Sequence, residues 1–592
     1  MAKITINGIE LKVKKGTTIL TAAKSIGIEI PKLCFIEEIN EIGFCRICVV
    51  EVEGEQDLVS ACNTEISNGM VIQTDSEKVL DTRKTTLGLL AAKHRFDCWR
   101  CPKDGMCEFY DLLKANDVVF EEFGPGIGRN PEKIFGTGIS QDQSKCVLCK
   151  RCVAVCEHVV TAKVLKFRDD DGINPIVSPT PGLAFDEAGC IFCGQCTKTC
   201  PTGTLHETDH IKRVESLLKD ENKKVFVQVA PAVRASLAEE FGYDIGTPVR
   251  ETQGKMYRAL QLLGFTEVTD TNWAADLTIL EEGTELIGRI KNGGQLPLFT
   301  SCCPAWVSYT EMYKPEYMGN LSTAKSPHMM QGQMIKNYYG KKYLNEKPEN
   351  IAVVSIMPCT AKKYEISREE MEVDGVRDVD AVLTVRELAK MIKRKGIDFR
   401  RLEDLELEGQ LAQFSGAGTI FGASGGVAEA ALRSVYEILE GETLETLEFN
   451  AVRGVNFSKE YEGTIKEASI KLPKTNLTVN VAVVHGGAAL KRMYEILDEG
   501  KKQYHFIEFM ACPGGCVNGG GMPITNEIPM HEVIARRSQS LYDQDSTDLP
   551  IRKSHENEQV LKAYEDMLGE PNSEIAHKYL HTHYTQKGFT KE

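Results

Sequence analysis

Apolar and polar side chains alternate in the first residues of the chain, a pattern typical of β-strands buried on one face. The stretch ITINGIELKV (residues 4–13) contains two such runs, joined by Asn7-Gly8, a dipeptide that favours a tight hairpin turn. The next stretch, TTILTAAKSIG (residues 17–27), predicts a short helix that begins at a threonine and ends at Gly27. The pattern therefore predicts a small α+β unit at the start of the chain.

From about residue 210 the pattern changes to short, β-branched apolar runs that alternate with amphipathic helical stretches such as VAEAALRSVYEILE (residues 427–440). This alternation predicts an α/β domain with largely buried strands. The predicted strands lie in VFVQVAPAVR (225–234), LTILEEGTELIGRI (277–290), LPLFTSCC (296–303), IAVVSIMPCTAKK (351–363), VNVAVVHGG (479–487) and HFIEFMACPGGC (505–516).

The length of 592 residues predicts about three to five domains. No apolar run reaches about eighteen residues, and the first residues resemble neither a signal peptide nor a twin-arginine leader. We therefore expect a cytoplasmic protein without a membrane partner. The net charge of −15 also argues against nucleic acid as the main partner.

The chain contains 20 cysteines, and most of them are grouped at short, regular spacings. Disulfides do not persist in a reducing compartment, so grouped cysteines there indicate metal or redox chemistry. Single buried cysteines are common packing residues, but that interpretation does not explain the grouping.

The first cysteine group follows the predicted strands and helix, with the spacing C-x10-C-x2-C-x13-C. Its members are Cys34, Cys45, Cys48 and Cys62. The C-x4-C-x2-C spacing of plant ferredoxins is absent. The pattern resembles instead the 2Fe–2S domain of hydrogenases and of the complex I large iron–sulfur subunit, and a structural zinc site is the alternative.

The second group includes a histidine and has the spacing H-x3-C-x2-C-x5-C. Its members are His94, Cys98, Cys101 and Cys107. Alone, this set would suggest zinc, but it lies between two iron–sulfur patterns. The spacing resembles a 4Fe–4S site with one histidine and three cysteine ligands in the same two families, with zinc as the alternative.

Two copies of C-x2-C-x2-C-x3-C follow, the pattern of bacterial two-cluster ferredoxins. In that pattern the fourth cysteine of each run ligates the other cluster. The two predicted ligand sets are therefore Cys146, Cys149, Cys152 and Cys200, and Cys190, Cys193, Cys196 and Cys156.

Five cysteines remain, and they follow the carboxyl ends of three predicted strands, where ligands bind in open α/β sheets. They are Cys302, Cys303, Cys359, Cys512 and Cys516. Four thiols complete a 4Fe–4S cubane and one is left over. Adjacent cysteines rarely bond to each other, so we expect one of Cys302 and Cys303 to bind iron and the other to have a different role. Packing cysteines are the alternative, which the glycine- and proline-rich settings disfavour.

The stretches TSCCPAW (300–306), MPCTAKKYE (357–365) and FMACPGGCVNGGG (509–521) resemble, in order, the three signature motifs of FeFe hydrogenases. The stretches RKSHENEQVLKAYEDMLGEP (552–571) and LHTHY (580–584) look like that family's small-subunit segment, here fused. The whole chain resembles the long clostridial-type form with four accessory clusters.

The resemblance implies a multidomain α+β and α/β fold in four parts. These are a β-grasp 2Fe–2S domain (1–78), a small 4Fe–4S domain with one histidine and three cysteine ligands (79–137), a two-cluster ferredoxin-like domain (138–209), and a two-lobed α/β domain for the H-cluster (210–592), with the small-subunit-like region from about residue 525.

The implied cofactors are one 2Fe–2S cluster, three accessory 4Fe–4S clusters and the H-cluster. By resemblance the cubane of the H-cluster is held by Cys303, Cys359, Cys512 and Cys516, and Cys516 bridges to a two-iron subsite that carries CO, cyanide and a dithiolate amine. Lys362 matches a lysine that hydrogen-bonds a cyanide. Further residues expected beside the cofactor are Met357, Met510, Pro231 and Ala232.

The implied reaction is reversible cleavage of H2, with electrons leaving through the accessory clusters. Protons would leave through the Cys302 thiol, a group suited to acid–base work. The resemblance continues this relay through Glu282, Ser322, Glu285 and Arg289. Glu282, Glu285 and Arg289 share one face of a helix, and without the resemblance a solvated helix face is the preferred interpretation.

Four positions depart from the usual family residues: Ala232, Ala305, Ala428 and Met522. They leave every proposed metal ligand and relay residue in place. We expect them to affect rate, catalytic bias or oxygen tolerance, and not the type of reaction.

The chain has no Walker P-loop and no G-x-G-x-x-G after a predicted strand, and GAGTIFG (416–422) has the wrong spacing. Electrons are therefore expected to pass to ferredoxin, or to a flavin-containing NAD(P)-binding partner subunit in a larger NAD(P)-linked complex, with an electron-bifurcating complex as one form of this alternative. Maturation proteins for the two-iron subsite are further expected partners. N-terminal lysines could dock an acidic partner, with a solvated surface as the preferred interpretation: Lys3, Lys12, Lys14, Lys15, Lys24 and Lys32.

Three other classes of protein were weighed against a catalytic hydrogenase. An electron-transfer subunit explains residues 1–208 and not the last five cysteines. An iron–sulfur assembly protein of the hydrogenase-like family would not need Cys302, Lys362 or the glutamate relay, and a sensory hydrogenase would carry a signalling domain. The stretch HKYLHTHY contains three histidines, His577, His581 and His583. They could form a metal site, but a packed tail is the preferred interpretation.

Overall fold

The computed structural model describes residues 1–124, 132–169, 175–180, 182–444, 446–454, 463–525 and 528–589. Within these ranges no helix combines the length and the apolar character needed to span a membrane.

The N-terminal region is a small sheet covered by one helix. Its elements are β1 (Ala2–Ile6), β2 (Ile9–Val13), α1 (Ile19–Lys24), β3 (Val49–Val52), β4 (Val59–Ser60) and β5 (Val71–Gln73). The strand order is β2–β1–β5–β3–β4. The predicted hairpin is confirmed, because β1 and β2 pair antiparallel and Asn7 and Gly8 have φ values of 47° and 81°, as a tight two-residue turn requires. The predicted helix is also confirmed, with the Thr18 hydroxyl accepting a hydrogen bond from the Thr21 amide.

Short elements carry the next cysteine groups. They are α2 (Glu77–Ala92), α3 (Glu108–Ala115), β6 (Lys133–Ile134), β7 (Ile139–Asp142), α4 (Arg151–Ala154), β8 (Lys166–Arg168), β9 (Ile176–Ser178), α5 (Gln195–Thr199) and β10 (Leu205–Glu207). β7 pairs antiparallel with both β6 and β10, and β8 pairs with β9. The buried core of this region includes the cysteines themselves, so the cysteine groups are part of its packing.

The second half of the chain is the α/β domain that the sequence predicted. Its strands are β11 (Lys224–Val229), β12 (Glu267–Asp270), β13 (Leu298–Phe299), β14 (Ile351–Met357), β15 (Glu372–Val373), β16 (Val376–Arg377), β17 (Ala381–Thr384), β18 (Thr464–Leu472), β19 (Leu477–His485) and β20 (Phe506–Met510).

The helices of this half lie before, between and after the strands, singly or in groups of two or three. They are α6 (Ile211–Lys219), α7 (Pro231–Arg234), α8 (Gln253–Leu263), α9 (Asn272–Asn292), α10 (Pro304–Tyr313), α11 (Pro327–Gln333), α12 (Gly340–Tyr343), α13 (Ala361–Glu365), α14 (Val385–Arg394), α15 (Gly416–Ile420), α16 (Gly426–Glu440), α17 (Gly487–Glu499), α18 (Met530–Asp543), α19 (Glu558–Ala563) and α20 (Glu574–Leu580).

Two four-stranded sheets form the two lobes of this half. One sheet has the order β12–β11–β14–β17 and is parallel throughout. The other has the order β13–β20–β19–β18, with only β18 antiparallel to its neighbour. All seven residues of β14 are buried, as expected for a parallel strand covered on both faces.

One predicted strand is wrong: residues 277–290 lie in α9, a helix of 21 residues. Its first half is buried on all sides, so the sequence there lacks the polar stripe that marks most surface helices. A continuous apolar run does not distinguish a buried strand from a buried helix. The helix does place Glu282, Glu285 and Arg289 on one face, as their spacing predicted.

Candidate functional site

Five cysteines that are far apart in the sequence line one cavity of about 80 Å³. Cys302 and Cys303 follow β13, Cys359 follows β14, and Cys512 and Cys516 follow β20. Because β14 belongs to one sheet and β13 and β20 to the other, the cavity lies where the carboxyl ends of the two sheets meet. The structure thus brings together all five cysteines that the sequence singled out.

The rest of the cavity wall is largely apolar. It includes Met357, Met510, Pro231 and Ala232, the four residues expected beside a cofactor. Of the four departures from the family pattern, Ala232 and Ala305 line the cavity. Ala428 and Met522 are buried elsewhere, where the Ala428 amide donates to Glu508 and the Met522 carbonyl accepts from Arg386.

The four proposed ligand thiols fit a 4Fe–4S cubane. Burial raises the pKa of Cys512 well above its usual range, and the nearby thiols of Cys193 and Cys303 raise it further. The pKa of the Cys516 thiol is also raised, first by burial and then by the charges of Cys303 and Cys359. Such closely spaced buried thiols become thiolates only when metal ions compensate their charge, and an all-thiolate set is the one that iron–sulfur clusters take.

Lys362 is held at the edge of the cavity by two partners. Its ammonium group donates to the Cys302 carbonyl at 2.9 Å and pairs with the Glu365 carboxylate at 2.8 Å. Burial opposes its charge, but Glu365 outweighs that effect and raises the pKa of Lys362. Lys362 therefore presents a fixed positive charge in an apolar wall.

His328 is a cavity residue that the sequence interpretation missed. One of its ring nitrogens donates to the Glu365 carboxylate at 2.8 Å, and the other contacts the Ser355 hydroxyl at 3.1 Å. Burial, and then the charge of Lys362, lower the pKa of His328 to about 4, so it is neutral at pH 7. A lone histidine in the first turn of α11 gave no signal in the sequence, since only the fold brings it to Glu365.

The proposed proton relay lies along α9, on the Cys302 side of the cavity. The Glu282 carboxylate accepts from the Ser301 hydroxyl at 3.2 Å, and its second oxygen has no hydrogen-bond partner among the described residues. Burial, and then the charge of Glu285, raise the pKa of Glu282 to about 7. After burial, Glu282 is the charge that most raises the pKa of the Cys302 thiol.

The outer part of the relay is a connected set of polar contacts. The Ser322 hydroxyl donates to Glu285 at 2.9 Å, while lying close enough to Glu282 to lower that residue's pKa. Glu285 pairs with Arg289 at 2.6 Å, and both side chains are 14% exposed. The structure thus brings together Ser322, Glu285 and Arg289, three of the residues named from the sequence, next to Glu282 on α9.

The histidine–cysteine group also shares one cavity, of about 300 Å³. Its lining includes His94, Cys98, Cys101 and Cys107. Nδ1 of His94 lies 3.0 Å from the Lys145 carbonyl, and since a carbonyl only accepts, Nδ1 carries the hydrogen and Nε2 keeps its lone pair for a metal. Burial, and then Lys145, lower the pKa of His94 to about 4, which keeps the ring neutral.

The fourth cysteine of each ferredoxin-like run lies beside thiols of the other run. Cys156 lines one cavity with Cys190, Cys193 and Cys196. The thiols whose charges act on Cys152 include Cys149, Cys200 and Cys146. In the N-terminal group, Cys34 contacts Cys45 and Cys48 contacts Cys62, and all four are buried.

These groups form a branched series that leads to the five-cysteine cavity. The Asn40 amide donates to the carbonyls of both Cys34 and Cys149, and the Cys107 thiol contacts the Pro201 carbonyl, beside Cys200. At the other end the Cys512 thiol lies 4.0 Å from the Cys193 carbonyl. The N-terminal and histidine–cysteine groups thus both adjoin the first ferredoxin-like set, and the second set adjoins the cavity.

Two of the three histidines near the C-terminus are adjacent, since the ring centroids of His577 and His581 lie 4.1 Å apart. His581 is buried between Thr323 and Glu281, whereas His583 is exposed. Within the described ranges, one group has three possible ligand atoms close together, formed by Glu437, His555 and Glu556. The Lys553 ammonium already pairs with Glu437 and Glu556, which disfavours a cation there.

Four family models match the chain. They are the iron-only hydrogenase large subunit, C-terminal domain (residues 223–520), the iron hydrogenase small subunit (531–587), a 2Fe–2S iron–sulfur cluster binding domain (1–77) and a 4Fe–4S dicluster domain (145–204).

Two relatives cover the chain almost completely. The NADP-reducing hydrogenase subunit HndD of Solidesulfovibrio fructosivorans is 42% identical over 99% of both chains. Iron hydrogenase 1 of Clostridium pasteurianum is 43% identical over 99% of this chain and 100% of its own. A solved FeFe-hydrogenase HydA1 from Chlamydomonas reinhardtii aligns with a TM-score of 0.57 and 35% identity, over 64% of this chain and 100% of that one.

Proposed function

The chain belongs to the iron-only (FeFe) hydrogenase family, and from this premise we propose that its five-cysteine cavity holds the H-cluster at which H2 is interconverted with protons and electrons. The family makes it an oxidoreductase that acts on H2 and carries 2Fe–2S and 4Fe–4S domains. The observation that carries the assignment of the site is the meeting of five distant cysteines and Lys362 in one largely apolar cavity.

In this proposal the chain supplies four thiolate ligands and a largely apolar cavity wall that excludes water. The ligands would be Cys303, Cys359, Cys512 and Cys516. When bound, the H-cluster supplies the redox chemistry of hydrogen cleavage and formation. Lys362, fixed by Glu365, offers a charged donor to an anionic diatomic ligand such as cyanide, and Met357 and Met510 exclude water beside it.

The proton steps fall to groups on α9 and its neighbours. Burial keeps the Cys302 thiol protonated, so it can give a proton towards the reacting atoms and regain one from Glu282. A pKa of about 7 lets Glu282 both accept and donate near neutral pH. Ser322 and Glu285 then carry the proton outwards, and Arg289, which stays protonated, pairs with Glu285 at the partly exposed end of this path.

We propose one 2Fe–2S cluster and three accessory 4Fe–4S clusters for the electron path. The supporting observation is that each predicted ligand set is grouped in space, with His94 holding its Nε2 lone pair for a metal. The second ferredoxin-like set adjoins the five-cysteine cavity, so its proposed cluster is the one that exchanges electrons directly with the H-cluster.

A role in cytosolic iron–sulfur assembly is the rival function. The cytosolic Fe–S cluster assembly factor narfl of Xenopus tropicalis is 30% identical over 62% of this chain. That alignment is weaker and shorter than those of the hydrogenases. The assembly role also gives no use to Cys302 and the buried Glu282, which lie together beside the cavity.

The electron partner is proposed from the relatives. A relative named as an NADP-reducing hydrogenase subunit favours a flavin-containing NAD(P)-binding partner, and ferredoxin is the second candidate. We also propose a cytoplasmic location. Copurification with the exposed N-terminal lysines intact or changed to glutamate would test whether they contact this partner.

Infrared spectroscopy tests the central proposal. The protein, prepared anaerobically with hydrogenase maturation proteins, is expected to show sharp bands from metal-bound CO and cyanide. A matched preparation of Cys359→Ala should lack them. If the wild type shows full accessory clusters and no such bands, the catalytic assignment is wrong. A role in electron transfer or in iron–sulfur assembly would then be the better hypothesis.

A further inference from the structure

The last described residues of the chain lie along the part of the molecule that carries Ser322. The C-terminal segment (residues 580–584) runs beside the relay segment (residues 321–325). The Lys325 amide donates to the Leu580 carbonyl at 2.8 Å, and the Thr582 amide donates to the Thr323 carbonyl at 2.7 Å. An antiparallel bridge joins Ala324 and His581. The C-terminal segment therefore adds a short strand to the relay segment.

The opposite edge of the relay segment is fixed by β13, which leads to the cavity cysteines. The Ser322 amide donates to the Phe299 carbonyl at 2.8 Å, and a parallel bridge joins Phe299 to Leu321. The Ser322 carbonyl accepts from the Tyr584 hydroxyl at 2.6 Å. The backbone of Ser322 is thus held from both sides, and the C-terminal segment supplies one of them.

His581 connects the relay segment to α9. One ring nitrogen contacts the Thr323 hydroxyl at 2.8 Å, and the other contacts the Glu281 carboxylate at 2.9 Å. Glu281 and the His581 side chain are buried, with 0% and 4% exposure. Because Glu281 precedes Glu282 in α9, His581 fixes the relay segment relative to the helix that bears the relay carboxylates.

We propose that the C-terminal segment is a positioning element of the proton relay, in which His581 and Tyr584 hold Ser322 between the carboxylates of Glu282 and Glu285. This inference rests on the proposed relay. Two hydrogen bonds depend on the position of this segment. The Ser322 hydroxyl donates to Glu285 at 2.9 Å, and the Thr323 amide donates to the same oxygen at 3.2 Å. Both contacts come from the relay segment, so its displacement would loosen the Glu285 carboxylate as well as the serine.

A relay tolerates little displacement, since each proton transfer needs donor and acceptor at hydrogen-bond distance. A misplacement of about 1 Å can reduce a rate by about 100-fold. Removing one contact of the C-terminal segment should therefore slow proton transfer without altering any metal ligand. Electron transfer between the accessory clusters should be unaffected.

Three single variants of the matured, full-length protein test this. Tyr584→Phe deletes the hydroxyl that donates to the Ser322 carbonyl and also lies beside Ser301, and His581→Ala removes both polar contacts of the imidazole. His581→Gln keeps a polar side chain of similar reach and should restore part of the lost rate. His583→Ala is the matched control, because His583 lies in the same segment and is exposed.

The readouts are the exchange of H2 with solvent deuterium, the solvent isotope effect on H2 oxidation, and the infrared bands of the cofactor. We expect Tyr584→Phe and His581→Ala to lower exchange by about 10-fold to 100-fold, with a larger isotope effect and unchanged bands. His583→Ala should match the wild type.

Unchanged exchange and isotope effect in both Tyr584→Phe and His581→Ala, with bands intact, would overturn the proposal. An equal loss in His583→Ala would also overturn it, because the effect would then be a general loosening of the tail. The proposed function fails separately, through absence of the bands in the wild type.

Discussion

The two halves of this hydrogenase carry, in our proposal, different products of one reaction, and their proposed metal sites are built in opposite ways. In residues 1–209 each proposed metal set takes most of its ligands from a short stretch of chain, as in the group from His94 to Cys107. In the second half the proposed ligands come from the ends of three strands in two sheets. Local spacing therefore indicates the proposed electron path, whereas only the topology brings together the proposed site at which protons and electrons separate.

The comparison also gives a way to test the halves independently. Exchange of H2 with solvent protons needs the cavity and the proton relay, and no net flow of electrons through residues 1–209. Reduction of an external acceptor needs both halves. The ratio of the two rates thus reports which half a substitution has damaged.

The largest effect is expected from a proposed cubane ligand, Cys359. In Cys359→Ala, exchange and acceptor reduction should both fall to background, a loss of at least about 10⁶-fold, because the cofactor has no complete site. The measurement is exchange by mass spectrometry together with the infrared bands.

Cys302→Ala is the matched comparison, since Cys302 lines the same cavity and is proposed to carry protons only. It should keep the infrared bands while losing most exchange. Loss of the bands in Cys302→Ala, and their survival in Cys359→Ala, would reverse the two assignments.

The next largest effect is expected at Glu282, on the proton side. Glu282→Gln removes a buried acid–base group, so exchange and acceptor reduction should fall together by about 10²–10⁴-fold. Glu403→Gln, which changes an exposed carboxylate, should have no effect. A drop in acceptor reduction alone would place Glu282 outside the proton path.

Much of this arrangement could be predicted from the sequence, and the failures lie where tertiary contacts decide the structure. The grouping of Cys156 with the cysteines of the second ferredoxin-like run follows from spacing, and the meeting of the five cysteines follows from their positions after strands. Residues 277–290 were predicted as a strand and form part of α9, because burial on all sides removes the polar stripe of a helix.

The residues that the sequence did not reveal act through long-range contacts. His328 reaches Glu365 only because α11 and α13 pack beside the cavity, and His581 reaches Glu281 from the far end of the chain. The two residues of each pair are far apart in the sequence, so no short motif indicates that they are in contact. The glutamates of α9 were assigned through family resemblance, since their spacing alone equally describes a solvated helix face.

A smaller effect is expected on the electron side, at His94. His94→Ala removes a proposed cluster ligand far from the cavity, so acceptor reduction should fall by roughly tenfold while exchange stays at the wild-type rate. The two assays on one preparation measure this difference.

His158→Ala is the control for His94, because it is an exposed histidine of the same half. It should change neither rate. If His94→Ala lowered exchange as much as acceptor reduction, the two halves would not be separable in function.

A still smaller effect is expected where the two halves touch. Gly194 has φ +73°, and an added Cβ would lie 2.4 Å from the Thr360 hydroxyl oxygen and 2.8 Å from the Gly520 Cα. Gly194→Ala should lower the free energy of unfolding by about 1–3 kcal/mol and slow acceptor reduction more than exchange. Gly242→Ala shares a positive φ of +79° in open space, so the difference between the two variants, measured by denaturant midpoints, isolates the close contact.

The smallest effect changes stability and not turnover at optimum pH, and its sign follows from the burial of Glu282. The folded protein keeps a proton on Glu282 up to pH about 7, whereas the unfolded chain releases it near the ordinary value of 4.5. Between these values the folded state binds more protons, so the contribution of Glu282 to stability is full below pH 4.5 and is lost as the pH rises through 7. The loss is at most about 3 kcal/mol.

Glu282→Gln abolishes this titration, so its stability relative to the wild type should increase from pH 5 to pH 8, measured by denaturant midpoints under anaerobic conditions. An exposed carboxylate such as Glu403 should give no such trend when changed to glutamine. A difference that is constant with pH would mean that Glu282 is already ionised at pH 5. It would then hold too few protons near neutral pH to return one to Cys302, and the proton side would lose the feature that distinguishes it from the metal-ligand side.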